Sequence, residues 1–340
     1  MVLKRTNLGN DCWWLPILTH GPKALSGVGV QGSRDYSGTI KTGITKFLTI
    51  TKGRDTMCTG FVSFFNQPLY GMNFDFYKVP MRLRIRMEAN KKIFAVESFI
   101  ENKWLENMTM NEGGLFANVQ SNWSDQHLYI KPGPNQIPML ELYKMMMQDA
   151  ESVKDVMDII GSKTIVHNTL PPDSELNKVH HLVADRYGGA VIIESKNYQN
   201  DITPIKGKYM VMTNFPNGEF SGKHYSEAKH PKEESRSGHD RYRNVSGYIW
   251  NHRDSFGLDD ALEALKIASG KDETWETLIS AVFDPLNLEI FLVVTRDFGH
   301  RWRVILKDGI LETYSGFNES KHFDLGSAEI LVADLEKVRQ

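Results

Sequence analysis

The chain has 340 residues, with 40 Lys and Arg against 42 Asp and Glu, and 41% apolar side chains. That is enough material for one large core or two ordinary ones, and it excludes wholesale disorder and collagen-like structure. A net charge of −2 gives no overall basic field for nucleic acid. Two cysteines build no disulfide framework and fit a reducing, cytoplasmic compartment. The apolar runs, such as Ile290 to Val294, fall well short of the ~20 residues of a membrane span.

The first 56 residues differ from the rest. They carry eight basic and three acidic side chains, leaving 32 basic and 39 acidic residues beyond them. Their apolar residues follow neither helical nor strand period for long, and Gly21 to Gly43 is loop-like. Gly27-Val28-Gly29-Val30-Gln31-Gly32 matches the dinucleotide-binding spacing but lacks the preceding strand and following helix that the motif needs. Lys52-Gly53-Arg54 can be encoded by a purine-rich run containing GGAGG, followed by a short spacer before Met57, as a bacterial ribosome-binding site looks when read as codons. On that reading translation starts at Met57; cleavage of a propeptide at Met57–Cys58 gives the same new end. Residues 1–57 are therefore read as a leader outside the mature fold, and 58–340 as one domain.

From residue 58 onward the pattern is of short strands with two helical blocks. Thr59 to Phe65 and Leu69 to Phe76 flank Asn66-Gln67-Pro68, a hairpin signal. Further strands are expected at Ile93 to Ile100, Leu115 to Val119, His180 to Ala184, Ala190 to Glu194 and Lys208 to Thr213. Met139 to Ile160 reads as the first helical block, its Met145-Met146-Met147 run serving as core filler. Residues 222–243 are charged and rich in His, so they read as a long exposed loop. Leu258 to Ala268 has helical spacing and stops at Gly270. Thr277 to Phe283 and Leu288 to Thr295 form a second hairpin, followed by Trp302 to Leu306. The class is α+β.

A two-residue loop at Asn66-Gln67 sets Cys58 directly opposite Asp75, with Cβ atoms about 4.5–5.5 Å apart; a slip of one residue moves Asp75 to the other face. A carboxylate alone does not activate a thiol. An N-terminal cysteine carries its own base, an α-amine with a pKa of about 8, which Asp75 can orient. As a bare residue type, Cys58 reads equally as a small buried hydrophobe of a strand.

Met57-Cys58-Thr59-Gly60-Phe61, followed by Leu69-Tyr70-Gly71-Met72-Asn73-Phe74-Asp75-Phe76, resembles the start of the choloylglycine hydrolase and penicillin V acylase family. Met110-Asn111-Glu112-Gly113-Gly114-Leu115, His181 to Asp185 with Val191 to Glu194, Val211 to Pro216 and Arg241-Tyr242-Arg243 resemble further family motifs, in the family's order. The resemblance implies a four-layer αββα sandwich of the N-terminal-nucleophile type and hydrolysis of a linear amide through a thioester. It implies Cys58 as nucleophile, Asp75 as the residue that binds its amine, Asn214 as oxyanion-hole side chain and Arg241 as an active-site arginine, with Arg243 the alternative. The partner implied is a small N-acyl amide, with a dimer or tetramer as the assembly and no nucleic acid, membrane, metal or organic cofactor.

Two departures stand out. Met72 occupies the position of an arginine in the family, whose cation favours thiolate. The second oxyanion or substrate-binding side chain has no single match; Asn118, Gln120 and Asn122 remain open. An acyltransferase using the same thioester and a non-catalytic binding protein are the competing readings. His180 and His181 are expected on opposite faces of a strand, and His224, His230 and His239 on a solvated loop, so neither set reads as a metal site.

Overall fold

Side chains along most strands of this chain alternate between two destinations, and each destination is a separate apolar core. The computed structural model describes residues 58–122, 132–167, 178–196, 199–220, 223–228, 238–271 and 274–338. The chain divides between Arg54 and Asp55. The leader reading of 1–57, the Gly27 to Gly32 run and His230 lie outside the described residues.

In chain order the first strands are β1 (Thr59–Ser63), β2 (Leu69–Phe76), β3 (Met81–Glu88), β4 (Lys91–Ile100), β5 (Lys103–Asn111) and β6 (Phe116–Ser121). Next come β7 (Gln136–Pro138), α1 (Met139–Asp149), α2 (Val153–Ile160) and β8 (Thr164–Val166). They are followed by β9 (Val179–Ala184), β10 (Ala190–Lys196), β11 (Gln199–Pro204) and β12 (Tyr209–Met212). The helices α3 (Gly238–Asn251) and α4 (Leu258–Ala268) precede β13 (Glu276–Asp284), β14 (Glu289–Val294) and β15 (Arg301–Ile305). The chain closes with β16 (Ile310–Ser315), β17 (His322–Asp324), β18 (Ile330–Leu331) and α5 (Val332–Val338).

One eight-stranded antiparallel sheet has the order β12-β1-β2-β13-β14-β15-β16-β17, and a second has β11-β10-β9-β6-β5-β4-β3-β18. Between them Tyr70, Met72, Phe74 and Phe76 meet Phe94, Met108, Met110, Leu182 and Ile192 in a continuous core. On the outer face of the first sheet, Phe61, Leu69, Val282 and Phe291 pack against Val245, Ile249, Leu262 and Leu265 of α3 and α4. On the outer face of the second, Ile93, Ala117, Val183 and Ile193 pack against Met139, Leu142, Met146, Met147 and Val156 of α1 and α2. The result is the αββα sandwich, the central strands of each sheet buried on both faces, as α+β layering requires. Among the described residues no helix is long and apolar enough to cross a membrane.

Local chemistry fixes the connections. Ala89-Asn90 and Glu101-Asn102 have positive φ at both positions, so each closes a two-residue hairpin with asparagine second, where left-handed backbone is least costly. The block expected from Met139 to Ile160 is two helices, because Ser152 and Asp155 form a reciprocal capping box that starts α2 afresh. The loop expected over 222–243 is helical from Gly238.

The first hairpin also differs from its expected form. Ser63 pairs with Leu69 and Thr59 with Asn73, so the loop is five residues, not two. Phe64 leaves β1 because its N–H bonds Lys208 O at 2.6 Å, Phe65 stacks on Tyr209, and Asn66 Nδ2 reaches Phe256 O at 3.2 Å. The register is therefore shifted by one, which sets Cys58 against Phe74 and turns the Asp75 side chain to the other face of the sheet.

Candidate active site

Cys58 precedes β1, and its side chain is buried in the core between the sheets with Met72 and Phe74. The Sγ lies 3.8 Å from the backbone oxygen of Asp75. Residues on the opposite face of β1 and β2 look toward the helices; Asn73 Nδ2, for example, donates to Leu265 O of α4 at 2.7 Å. Asp75 belongs to that set, pairing with Thr277 across β13.

Arg241, in the first turn of α3, joins these parts. Its Nη1 donates to the carbonyl of Cys58 and, at 2.7 Å, to Thr59 Oγ1; its Nη2 donates to Asn214 Oδ1 at 2.9 Å. Arg241 is only 6% exposed, so these three acceptors hold its guanidinium where bulk water cannot. Asn214, fully buried just beyond β12, uses one amide hydrogen on Ser121 O at 2.8 Å. Its NH₂ group keeps a second hydrogen, the right chemistry for a developing oxyanion.

Burial pushes the Asp75 carboxyl up to about 7, against the lowering pull of Arg241, of the nearby Thr277 hydroxyl and of Arg296. That hydroxyl accepts from the Gly270 N–H at 3.0 Å and donates to Gly270 O at 3.4 Å. Neither carboxylate oxygen has a hydrogen-bond partner among the described residues. A buried carboxyl so placed fits a cation supplied from outside the present set of contacts.

The residues singled out from sequence thus assemble: Cys58, Asp75, Asn214 and Arg241 form one cluster, with Asp75 reached through the backbone and Arg241 and not by the direct pairing expected. Arg243 does not join it; it bonds Asp240 and Ala228 O. Met72 is fully buried on the same inner face as Cys58, opposite Gly60, so β2 brings no cation there. Of the three open amides, Asn122 spends its Nδ2 on Glu194 at 3.0 Å, whereas Asn118 Nδ2 and Gln120 Nε2 have no partner among the described residues.

Other family-like motifs do structural work. Asn111 bonds Leu115 N, Met147 O and Ala150 O, and so clamps a turn to the end of α1. Asp185 accepts from Val153 N at 2.7 Å and from Tyr187 and Gly189 N–H groups, closing the β9–β10 turn onto α2. His181 faces the helices, with Nε2 2.9 Å from Met139 O and Nδ1 3.2 Å from Asn118 O; burial lowers its pKa to about 4, so the neutral ring donates to one of the two carbonyls. His180 faces the other way, onto Glu194 at 2.9 Å. From sequence His180 is weighed only as a metal ligand, and Glu194, Thr59 and Ser121 are given no site role, although strand alternation from Leu182 and Ile192 marks the inner face on which His180 and Glu194 lie.

Residues 76–243 match the model of a family described as linear amide C–N hydrolases, choloylglycine hydrolase family. Among curated proteins, an uncharacterised protein of Paramecium bursaria Chlorella virus 1 is 30% identical over 115 residues. The matched stretch is 32% of this chain and 38% of that protein, so the chain spans under two thirds of this relative. A conjugated bile acid hydrolase from Clostridium perfringens has the same fold, with a TM-score of 0.55 at 14% identity over 80% of this chain and 93% of that one. A penicillin V acylase from Agrobacterium tumefaciens gives a TM-score of 0.52 at 15% identity, over 70% of this chain and 83% of that one. The choloylglycine hydrolase family that the motifs resemble is thus the one whose model residues 76–243 match, and the bile acid hydrolase and the penicillin V acylase share this chain's fold.

Proposed function

We propose that this chain hydrolyses a linear amide C–N bond in a small N-acyl compound, with Cys58 as an N-terminal thiol nucleophile. The observation that carries the reading is the set of bonds from one buried guanidinium to the Cys58 carbonyl, Thr59 and Asn214, with the Asp75 carboxyl in its field. Once Cys58 is the first residue, its α-amine takes the thiol proton and Asp75 holds the resulting ammonium. The thiolate attacks the carbonyl carbon, and Asn214 with a backbone N–H stabilises the oxyanion. The amine proton passes to the leaving nitrogen, and water then releases the acid from the thioester.

Met72 favours a second reading, a non-catalytic or acyl-transferring protein on the same scaffold, because the inner face beside Cys58 is apolar there. Three measurements separate the readings. The intact mass of protein made from its native gene should correspond to a chain beginning at Cys58. A thiol alkylator should then modify Cys58, and Cys58→Ser should abolish amide hydrolysis. An active enzyme that keeps residues 1–57 refutes the amine-as-base mechanism, and a Cys58-terminated chain inert to alkylation refutes the enzyme.

A further inference from the structure

The inner face of the second sheet carries polar side chains in a place where a sandwich interior calls for apolar ones. Along β6 the alternation that buries Phe116 between the sheets continues through Asn118, Gln120 and, just past the strand, Asn122, none more than 3% exposed. His180 lies beside Gln120 in register on β9. Its Nδ1 meets Glu194 Oε1, which also accepts from Asn122 Nδ2, while the N–H of Asn217 reaches Glu194 Oε2 at 3.0 Å. Glu194 selects the tautomer that carries its proton on Nδ1, and in that tautomer Nε2 is an acceptor. That Nε2, the Asn118 Nδ2 and both polar atoms of Gln120 are buried without a hydrogen-bond partner among the described residues. Buried atoms in that condition carry a desolvation cost that only a partner relieves.

These atoms adjoin the nucleophile. A Cβ on Gly60 would lie 2.4 Å from Asn118 Nδ2 and 2.6 Å from Gln120 Nε2, so both amides sit against the backbone two residues past Cys58. The direction also agrees. Gly60 pairs with Met212, and two residues further on Asn214 bonds Ser121 O, so the Cys58 end of β1 and the Gln120–His180 end of the second sheet coincide.

We propose that Asn118, Gln120 and His180 form a polar subsite that takes a neutral hydroxyl or carboxamide group of the substrate. The subsite offers two amide donors and two acceptors, Gln120 Oε1 and His180 Nε2. A carboxylate would meet the Nε2 lone pair and an ammonium would meet two NH₂ groups, whereas a hydroxyl, with one proton and two lone pairs, satisfies three of the four and a carboxamide satisfies all four. At strand rise, two residues separate it from Cys58 by about 6–7 Å, so the recognised group lies about four to six bonds from the scissile carbonyl. The inference rests on the amidase reading.

The test uses the full chain in its active form and matched pairs of N-acyl amides that differ by one hydroxyl at that distance, placed in the acyl part in one pair and in the amine part in the other. The expected result is a preference of about tenfold in kcat/KM for the hydroxylated member of one pair, which names the side recognised. Gln120→Leu and Asn118→Leu should bring that ratio close to one. A ratio near one in the native chain, as an ordered water filling the space would give, overturns the proposal, as does an unchanged preference in both variants. If no amide is turned over, the amidase reading fails on its own. Calorimetric binding of the same pairs then decides: tighter binding of the hydroxylated member supports the subsite, and equal binding refutes it.

Discussion

Asp75→Asn should change sign in its effect on stability according to whether residue 58 is preceded by a peptide bond. In the full chain the carboxyl titrates at about 7 because burial disfavours its charge. The unfolded carboxyl titrates at about 3.9. Between those values the native state binds one more proton than the unfolded chain, so stability falls by about 1.4 kcal/mol per pH unit, about 4 kcal/mol in all. The stabilisation belonging to this group is therefore complete below about pH 4 and lost as the pH rises through about 7. His181 acts oppositely over nearly the same window: its folded pKa of about 4 lies below the ordinary value, so its contribution is lost on acidification. The two slopes nearly cancel, and only the difference between native chain and variant isolates Asp75. Urea unfolding at pH 5 and pH 8 should give an Asp75→Asn chain that gains about 2–4 kcal/mol relative to native on going to the higher pH. In a chain beginning at Cys58, where an ammonium pairs with the carboxylate, the same substitution should instead destabilise by about 3–5 kcal/mol at pH 8. The same sign in both forms would refute the assignment of Asp75 as the partner of the α-amine.

Arg241→Lys leaves a single ammonium facing three acceptors that a guanidinium spans. It should cost about 2–4 kcal/mol in urea unfolding and, by loosening Cys58 and Asn214, lower kcat about a hundredfold. Gly71→Ala puts a Cβ 2.2 Å from the ring of Phe61, itself fully buried against the helices, and should cost about 3 kcal/mol in the same assay. Ser152→Ala removes one half of the capping box that begins α2 and should lower stability by about 1 kcal/mol, with no effect on amide turnover.

Much of this was legible in the sequence where one period dominated. Leu69 to Phe76 and Leu258 to Ala268 match β2 and α4 in both boundaries, since each has a regular pattern and a clear stop. The strands β3 and β5 were not foreseen, because their outward residues are charged: Arg84 and Arg86 pair with Glu97 and Glu106 across the sheet, so the apolar count is low. The polar start of α3 read as loop for a related reason, as Arg241 is buried by its acceptors and not by its own hydrophobicity. The hairpin register depended on contacts from Lys208, Tyr209 and Phe256, which lie far along the chain and leave no local trace in residues 64–68. Ordered motifs located Cys58, Asn214 and Arg241; the face on which Asp75 stands came only with the register.

The described anchors of Cys58 are its carbonyl, held by Arg241, and its thiol, resting on the Asp75 backbone. Both lie on the C-terminal side of the Met57–Cys58 bond. On the proposed reading, in which Cys58 is the first residue, neither of these two contacts depends on that bond, so both would survive its being cut or never made.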